Sequence, residues 1–392
     1  RVRVSEHRVS AQKMSSRVRL SLLPSIRCMF DDLLKIRVTG LSSQQDVVLR
    51  ASATDEKGSN FNSWAEFRAD HSGQVDLSRD ATLNGSYSGV QPMGLLCPHM
   101  VHFSVVNKQD GQILAQETNE RCILGDGVQR QTVTEQGFTG VLFTPPGSGP
   151  FPAVLNLSTS PTEKRAGLLA NRGFVVMTVP IFNRKADQTE RLHLDQYEAA
   201  VQYLLQHSKV GSAEVGVMGL SKGTDVALSV ASFVRGVGAV VSINGCNPPA
   251  LRPDLSKCIA LSSGLYMVKN AMPIPTSAEH RDTVVPIEKA SAQFLFAASE
   301  DDLNWDSVAF MEQMVERMKH HGRNNFEAIS YPGAGHILDT PFSPFEASGF
   351  HGVFKMSVLW GGEPAAHARA EEQLWKKIQE FFRKHLRCEA KL

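Results

Sequence analysis

Apolar residues alternate with polar ones in short runs over the first third of the chain. From residue 17 to about 144, glycine, asparagine, aspartate and serine separate these runs. Alternation at period two predicts strands with one buried face, and many short strands with turns between them favour an antiparallel β-sandwich. The clearest predicted strands are 18–22, 34–38, 47–53, 61–67 and 101–105.

The pattern changes after a segment rich in proline and glycine, residues 145–150. Beyond it, continuous apolar runs of strand length alternate with stretches in which apolar residues recur at helical spacing. Strands that alternate with helices predict a mostly parallel sheet with helices on both faces. The predicted strands are 153–157, 174–179, 215–218, 239–243 and 294–298, and the predicted helices are 163–171, 194–206 and 365–385.

These patterns divide the 392 residues into four segments. We predict a disordered leader over 1–16, a β-sandwich domain over 17–144, an α/β catalytic domain over 145–389 and a targeting tripeptide over 390–392. The length agrees with two domains, since single cores stop growing at about 250–300 residues.

Composition excludes some classes of function. The net charge is +1 and the charged fraction is 21%, so nothing indicates a nucleic-acid partner. No run of 18 apolar residues occurs, and we expect no stable membrane insertion. The six cysteines are scattered without metal-site or disulfide spacing, and the sequence indicates neither a metal nor a cofactor.

The main candidate for chemistry is the sequence Gly-Leu-Ser-Lys-Gly at 219–223, which joins the predicted strand 215–218 to a helical run. Gly-x-Ser-x-Gly in that context is the nucleophile elbow of α/β-hydrolases. The turn is tight, and Gly219 and Gly223 have no Cβ that would clash there. Ser221 is therefore the predicted nucleophile, at the start of a helix whose amides favour negative charge.

A serine nucleophile needs a base and an acid that orients the base, and in this fold both follow the serine. His336 is the predicted base because it follows a strand end and a glycine-containing loop after residue 331. Asp301 and Asp302 both follow the predicted strand 293–298. Their spacing alone does not decide which one orients the histidine.

Seven stretches on both sides of the proline- and glycine-rich segment match one known family. They are 49–58, 91–96, 219–223, 229–233, 243–245, 301–305 and 360–364. On these stretches the chain, from about residue 17 to its end, resembles the type I acyl-CoA thioesterases, the family that also contains bile acid-CoA:amino acid N-acyltransferase. The resemblance implies a β-sandwich followed by an α/β-hydrolase domain. It also implies that the acid is the second aspartate of an Asp-Asp-x-Asn-Trp motif, which here is Asp302.

The implied activity is hydrolysis of fatty acyl-CoA thioesters through an acyl-serine intermediate on Ser221, His336 and Asp302. The backbone amides of Lys222 and Thr159 are the expected oxyanion donors. The loop 156–163 departs from the family because it lacks a glycine-rich run. Loss of one such donor typically lowers the rate by about 10²–10³-fold, so reduced activity is an alternative expectation. Contacts to the CoA phosphates are open, with Lys164, Arg165, Arg184 and Lys222 as candidates that are also compatible with ordinary surface charge.

Three other functions compete with hydrolysis. The first is an N-acyltransferase that conjugates acyl groups to glycine or taurine, but the transferase of this family uses a cysteine where this chain has Ser221. The second is a degenerate acyl-CoA-binding protein, which the atypical loop would explain. The third is a generic carboxylesterase, which explains the triad but not the sandwich.

The last three residues, Ala390-Lys391-Leu392, are similar to the peroxisomal address Ser-Lys-Leu. They predict a peroxisomal location and an import receptor as a partner. The arginine-rich residues 1–13 favour a mitochondrial location instead, and the cytosol is a further alternative.

Overall fold

The structure is a computed structural model. It describes residues 18–54, 58, 60–86, 100–135, 137–158, 163–181, 193–247, 255–271, 284–343, 345–351 and 355–388. The predicted leader 1–16, the loop residue Thr159 and the tripeptide 390–392 lie outside the described residues. None of the described helices combines the length and the apolar character needed to cross a membrane.

The chain forms two compact units. The first contains Arg1–Cys28 and Asp32–Arg121, and the second contains Met29–Asp31 and Cys122–Leu392. We refer to them as the sandwich unit and the hydrolase unit.

The sandwich unit contains a six-stranded sheet of order β2-β9-β8-β4-β5-β7 and a three-stranded sheet of order β1-β3-β6. The pairings among β4, β5, β7, β8 and β9 are antiparallel, as are those of β1 and β6 with β3. The strands are β1 Arg19–Leu23, β2 Arg27–Met29, β3 Lys35–Thr39, β4 Asp46–Thr54, β5 Asn60–Arg68, β6 Val75–Asp76, β7 Asn84–Gly85, β8 Met100–Asn107 and β9 Ile113–Cys122.

Period-two burial explains why these strands form a sandwich. Along β4 every second residue is buried, from Val47 to Ala53, and the residues between them are more exposed. Their side chains share one apolar core with Leu20 and Val38 of the smaller sheet. Two sheets that bury facing apolar sides in one core are a β-sandwich, so this prediction is confirmed.

The hydrolase unit is organised around an eight-stranded sheet of order β10-β11-β13-β12-β14-β15-β18-β19. All its pairings from β13 to β19 are parallel, whereas those of β11 with β10 and β13 are antiparallel. A smaller sheet has the order β16-β17-β21-β20. The strands are β10 Gln129–Glu135, β11 Phe138–Thr144, β12 Ala153–Ser158, β13 Val175–Pro180, β14 Val215–Leu220, β15 Val237–Ile243, β16 Ile259–Ala260, β17 Tyr266–Met267, β18 Gln293–Ser299, β19 Phe326–Tyr331, β20 Ser348–His351 and β21 Met356–Leu359.

The helices cover both faces of the large sheet, as the side chains of β14 show. Val215 and Val217 pack in the core that contains residues of α2, α3 and α4, while a Cβ on Gly216 would contact Phe382 of α5. A mostly parallel sheet covered in this way is an α/β-hydrolase fold, as predicted. The helices are α1 Glu163–Asn171, α2 Asp195–Gln206, α3 Lys222–Phe233, α4 Ser307–His320 and α5 Pro364–His385, and shorter 3-10 turns span Leu255–Lys257, Lys269–Ala271 and Ile287–Lys289.

The boundary between the units differs from the predicted one. We expected the sandwich to extend to residue 144, but the units divide between Arg121 and Cys122. The hairpin of β10 and β11 joins the larger sheet through β13, with Val141 opposite Thr178. Alternation identifies a half-buried strand but does not say which sheet the strand will join.

Candidate active site

Ser221 lies on the turn between β14 and α3. Its backbone has φ 55° and ψ −128°, a conformation that is strained for a residue with a side chain. Its N–H donates to the carbonyl of Ile243 at the end of β15, at 2.9 Å. The sharp turn is therefore tied to the neighbouring strand.

Small residues around the turn allow its backbone segments to approach closely. A Cβ on Gly219 would lie 2.4 Å from the carbonyl oxygen of Gly223. The Thr224 hydroxyl donates to the carbonyl oxygen of Gly219 at 3.1 Å. A Cβ on Gly245 would lie 2.1 Å from Cγ2 of Thr224. The glycine spacing read from the sequence thus corresponds to a steric requirement of the elbow.

His336 lies on the loop that follows β19, and it contacts Ser221. Its Nε2 is 2.8 Å from the Ser221 hydroxyl oxygen. Its Nδ1 is 2.7 Å from Oδ2 of Asp302. The histidine side chain is 1% exposed and the aspartate is 0% exposed, so bulk water does not compete for the bond between them. The structure therefore brings together the three residues predicted as nucleophile, base and acid.

Four donors surround the carboxylate of Asp302. Oδ1 accepts from the backbone N–H groups of Asn304 at 2.8 Å and Trp305 at 3.0 Å. Oδ2 accepts from the Ser307 hydroxyl at 2.5 Å as well as from His336. These donors fix the orientation of the carboxylate, which in turn holds the histidine proton on Nδ1.

Asp301 occupies a different position. Its Oδ2 accepts from the backbone N–H of Gly362 at 2.9 Å, and the side chain is exposed. The geometry therefore places Asp302, rather than Asp301, against the histidine.

Two indole rings stack on the imidazole of His336. The ring of Trp305 has its centroid 5.6 Å from that of the imidazole, with planes 18° apart. Trp360 stacks with centroids 5.7 Å apart and planes 18° apart. Aromatic faces attract cations, so the pair favours the imidazolium that forms when the ring takes a proton. Trp360 packs with the buried core of the smaller sheet, on Val268, Ala271 and Val358.

A second histidine, His367 in α5, holds the loop that carries His336. Its Nδ1 accepts from the N–H of Gly335 at 3.0 Å. Its Nε2 lies 3.0 Å from the carbonyl oxygen of Ile337 and donates to it. Both neighbours of His336 are thereby fixed. Glu371 lies 3.6 Å from the same ring, and burial raises the pKa of this carboxyl to about 7.

Lys222 begins α3, where backbone amides point out of the helix and favour negative charge. Its ammonium donates to buried Asp225 at 2.7 Å. The Cys246 thiol, 0% exposed, also faces Asp225, at 3.4 Å. Burial raises the pKa of this thiol well above its ordinary value, so Cys246 is not an alternative nucleophile. The other predicted oxyanion donor, Thr159, lies outside the described residues.

Arg165 is structural rather than a surface charge. It is 1% exposed, and it donates to Asp339 at 2.7 Å and to Asn156 at 3.4 Å. Burial alone would raise the pKa of Asp339. The positive charges of Arg165 and Lys164 outweigh it and hold the pKa of this carboxyl below its ordinary value. Arg184 lies outside the described residues.

Asn304, Trp305 and Trp360 lie in the stretches 301–305 and 360–364, but the sequence does not indicate a role for their side chains. Their signal was a match to a family motif, which does not say what a side chain contacts. His367 gave no signal of its own, because one histidine within a long amphipathic helix has no distinctive pattern.

Two sequence models match this chain. The C-terminal region of BAAT / acyl-CoA thioester hydrolase matches residues 192–388. The N-terminal region of acyl-CoA thioester hydrolase/BAAT matches residues 31–98.

Individual relatives match nearly the whole chain. Human acyl-coenzyme A thioesterase 1 is 35% identical over 94% of this chain and 96% of its own length. Human mitochondrial acyl-coenzyme A thioesterase 2 is 35% identical over 94% of this chain and 84% of its own. Mouse peroxisomal succinyl-coenzyme A thioesterase is 34% identical over 94% of this chain and 96% of its own. The chain therefore belongs to the BAAT / acyl-CoA thioester hydrolase family.

Proposed function

We propose that this protein hydrolyses acyl-CoA thioesters to a free acid and CoA through an acyl intermediate on Ser221. The supporting observation is the hydrogen-bonded chain from Ser221 through His336 to Asp302, with distances of 2.8 and 2.7 Å, in a member of this family. Relatives that are named acyl-coenzyme A thioesterases support the choice of substrate class.

In the first half-reaction, Nε2 of His336 takes the hydroxyl proton of Ser221 while the oxygen attacks the thioester carbonyl carbon. The tetrahedral intermediate then collapses, the C–S bond breaks, and CoA leaves with the proton from Nε2. Asp302 holds Nδ1–H and stabilises the transient imidazolium. The stacked rings of Trp305 and Trp360 act in the same direction.

In the second half-reaction, His336 removes a proton from water, which attacks the acyl-serine carbonyl. The C–O bond to Ser221 breaks, the serine recovers its proton from Nε2, and the acid is released. The negative oxygen in each tetrahedral intermediate is assigned to the backbone amides of Lys222 and Thr159.

Transfer of the acyl group to glycine or taurine is the competing outcome for the same intermediate. Ser221 favours hydrolysis, because an amine attacks a thioester more readily than it attacks an oxygen ester such as the acyl-serine. Cys246, a cysteine near the elbow, is 0% exposed, so its thiol does not replace Ser221 as the acyl acceptor.

The test is release of free CoA thiol from a panel of thioesters that runs from succinyl-CoA to palmitoyl-CoA, with and without glycine or taurine. We expect turnover that yields free acid in every arm. Ser221→Ala should abolish turnover with an unchanged melting temperature, because the hydroxyl contacts the base and no core residue is removed. Formation of an amide product would identify a transferase. An absence of turnover alongside saturable acyl-CoA binding would identify a degenerate binding protein.

The C-terminal tripeptide Ala390-Lys391-Leu392 is the proposed peroxisomal address, read by the import receptor. Relatives named as peroxisomal and as mitochondrial both occur, so the two locations need a direct test. A fluorescent protein that carries the last twelve residues should enter peroxisomes, and a copy without the tripeptide should not. Diffuse signal from both copies would contradict the proposed address.

A further inference from the structure

The side-chain amide of Asn304 lies beside the nitrogen that is proposed to move the proton. Its Nδ2 is 3.1 Å from Nε2 of His336, and the same Nε2 is 2.8 Å from the Ser221 hydroxyl. Asn304 and His336 are each 1% exposed. The amide therefore contacts a reacting atom, and bulk water barely reaches either side chain.

The backbone and the side chain of Asn304 have separate contacts. The backbone N–H donates to Asp302 at 2.8 Å, and any residue other than proline at this position can make that bond. Among the described residues, the side chain hydrogen-bonds to His336 alone. A substitution here therefore removes the amide without removing the donor that supports the acid.

The protonation of Nε2 of His336 determines which atom of the Asn304 amide matches it. Because Nδ1 of His336 carries its proton toward Asp302, Nε2 of the neutral ring is an acceptor. It faces two donors, the Ser221 hydroxyl and the Asn304 N–H. Once Nε2 has taken the serine proton it becomes a donor, and an amide N–H in front of it is then mismatched.

The other half of the amide provides the matching group. Among the described residues, Oδ1 of Asn304 is a buried oxygen that accepts no hydrogen bond. A half-turn about the last side-chain torsion exchanges Nδ2 and Oδ1 with almost no change of shape. The buried oxygen would then face Nε2–H of the imidazolium.

We propose that Asn304 is a positioning residue whose amide follows the proton on His336, donating to Nε2 of the neutral ring and accepting from Nε2–H of the imidazolium. This inference rests on the proposed function for the substrate, whereas the contacts among Asn304, His336 and Ser221 are those of the structure. It adds a fourth side chain to the proton-transfer machinery.

Two variants separate the acceptor and donor roles. Asn304→Ala removes both and should lower kcat about tenfold to a hundredfold with little change in KM, because the imidazolium loses a charge-assisted bond. Asn304→Asp has nearly the same shape and keeps only acceptors. A negative group at Nε2 holds the ring protonated, so the rate should fall at neutral pH. The acid limb of its pH–rate profile should move to higher pH by about one unit or more. By pH 9 its rate should exceed that of the alanine variant.

Asn325 offers a matched control. It also has a buried Oδ1 that accepts no hydrogen bond among the described residues, but its Nδ2 donates to the carbonyl of Ala292 at 2.6 Å. Asn325→Ala and Asn325→Asp should therefore leave the acid limb in place. Urea unfolding of each variant identifies any that fail to fold, and the near-isosteric aspartate keeps the test available if the alanine variant unfolds.

A second readout does not depend on thioesters. A fluorophosphonate probe forms a P–O bond to Ser221, releases fluoride and leaves the serine proton on His336. The labelling rate should show the same shifts across the Asn304 variants. If the protein labels in this way but hydrolyses no acyl-CoA, the proposed function fails and the role of Asn304 stands.

Two results would overturn the inference. One is a wild-type rate and acid limb in Asn304→Ala, in both turnover and labelling. The other is an aspartate variant whose rate at pH 9 is no higher than that of the alanine variant, since an acceptor at this position would then have no effect.

Discussion

Among its described residues, the hydrolase unit contains two buried histidine–carboxylate pairs that are built differently. His336 and Asp302 are 2.7 Å apart, and His367 and Glu371 are 3.6 Å apart. Both rings are nearly inaccessible, at 1% and 5% exposed. The first ring connects a carboxylate to the Ser221 hydroxyl, whereas the second connects two backbone groups, the N–H of Gly335 and the carbonyl of Ile337.

The group that faces the ring nitrogen not paired with the carboxylate determines whether a buried histidine can transfer a proton. A proton can pass through His336, because Nε2 faces a hydroxyl that can release one. His367 has no such partner among the described residues, and protonation at its Nδ1 would break the bond from Gly335. The first pair is suited to chemistry and the second to holding the loop of the first.

Breaking the first pair should have the largest effect. Asp302→Asn keeps the shape but allows the wrong histidine tautomer, and about a 10⁴-fold loss of kcat is expected by analogy with serine proteases. Thiol release from acyl-CoA measures it.

Asp301→Asn is the matched control. Asp301 bonds to the backbone of Gly362 on the surface, so the rate should change by no more than about threefold, since an exposed charge contributes little. If Asp301→Asn gave the larger loss, the assignment of the acid would be wrong.

The sequence predicted the main elements, and the residues that it indicated as nucleophile and base, Ser221 and His336, lie in contact in the structure. The predicted helix 163–171 coincides with α1, and the predicted strand 47–53 lies within β4. Long apolar periods and a glycine-constrained turn are local features, which explains their success. Helix α4, Ser307–His320, was not predicted.

Contacts made across the fold could not be predicted in the same way. Asp301 and Asp302 are adjacent, so spacing does not show which one faces His336. The family motif, rather than the spacing, indicated Asp302. Trp360, which stacks on His336, follows β21, and a strand of only four residues gives little periodic signal. The hairpin of β10 and β11 belongs to the larger sheet because β11 pairs with β13, a partner that lies more than 30 residues further along the chain.

Breaking the second pair should have a smaller effect on the rate. His367→Leu removes the bonds to Gly335 and Ile337 and lets the loop of His336 shift. Small misplacements of a catalytic group lower rates by up to about 100-fold, so we expect kcat to fall about 10–100-fold while KM changes little. His367→Asn keeps an acceptor where Nδ1 was and should recover part of the loss. Equal losses in the two variants would show that the bond to Gly335 does not position the loop.

Glu371→Gln should have the smallest effect on the rate and instead change how stability depends on pH. The groups that face Glu371 are His367, Asp339 and Lys164, and burial is the largest cause of its raised pKa. The folded pKa is about 7 against 4.5 for the free side chain. Between these values the unfolded chain releases the proton and the folded chain keeps it. Stability conferred by the neutral carboxyl is therefore complete below pH 4.5 and lost as the pH rises to about 7.

Glutamine does not ionise, so the advantage of the variant over the wild type should grow across that window and then level off. A shift of this size corresponds to at most about 3 kcal/mol. Urea unfolding at pH 5.5 and 8, with kcat recorded beside it, measures the part of this effect that lies above pH 5.5, about 2 kcal/mol. A constant difference between the two pH values would mean that Glu371 ionises as readily in the folded protein as in the unfolded chain. The contrast between the two pairs would then rest on their histidines alone.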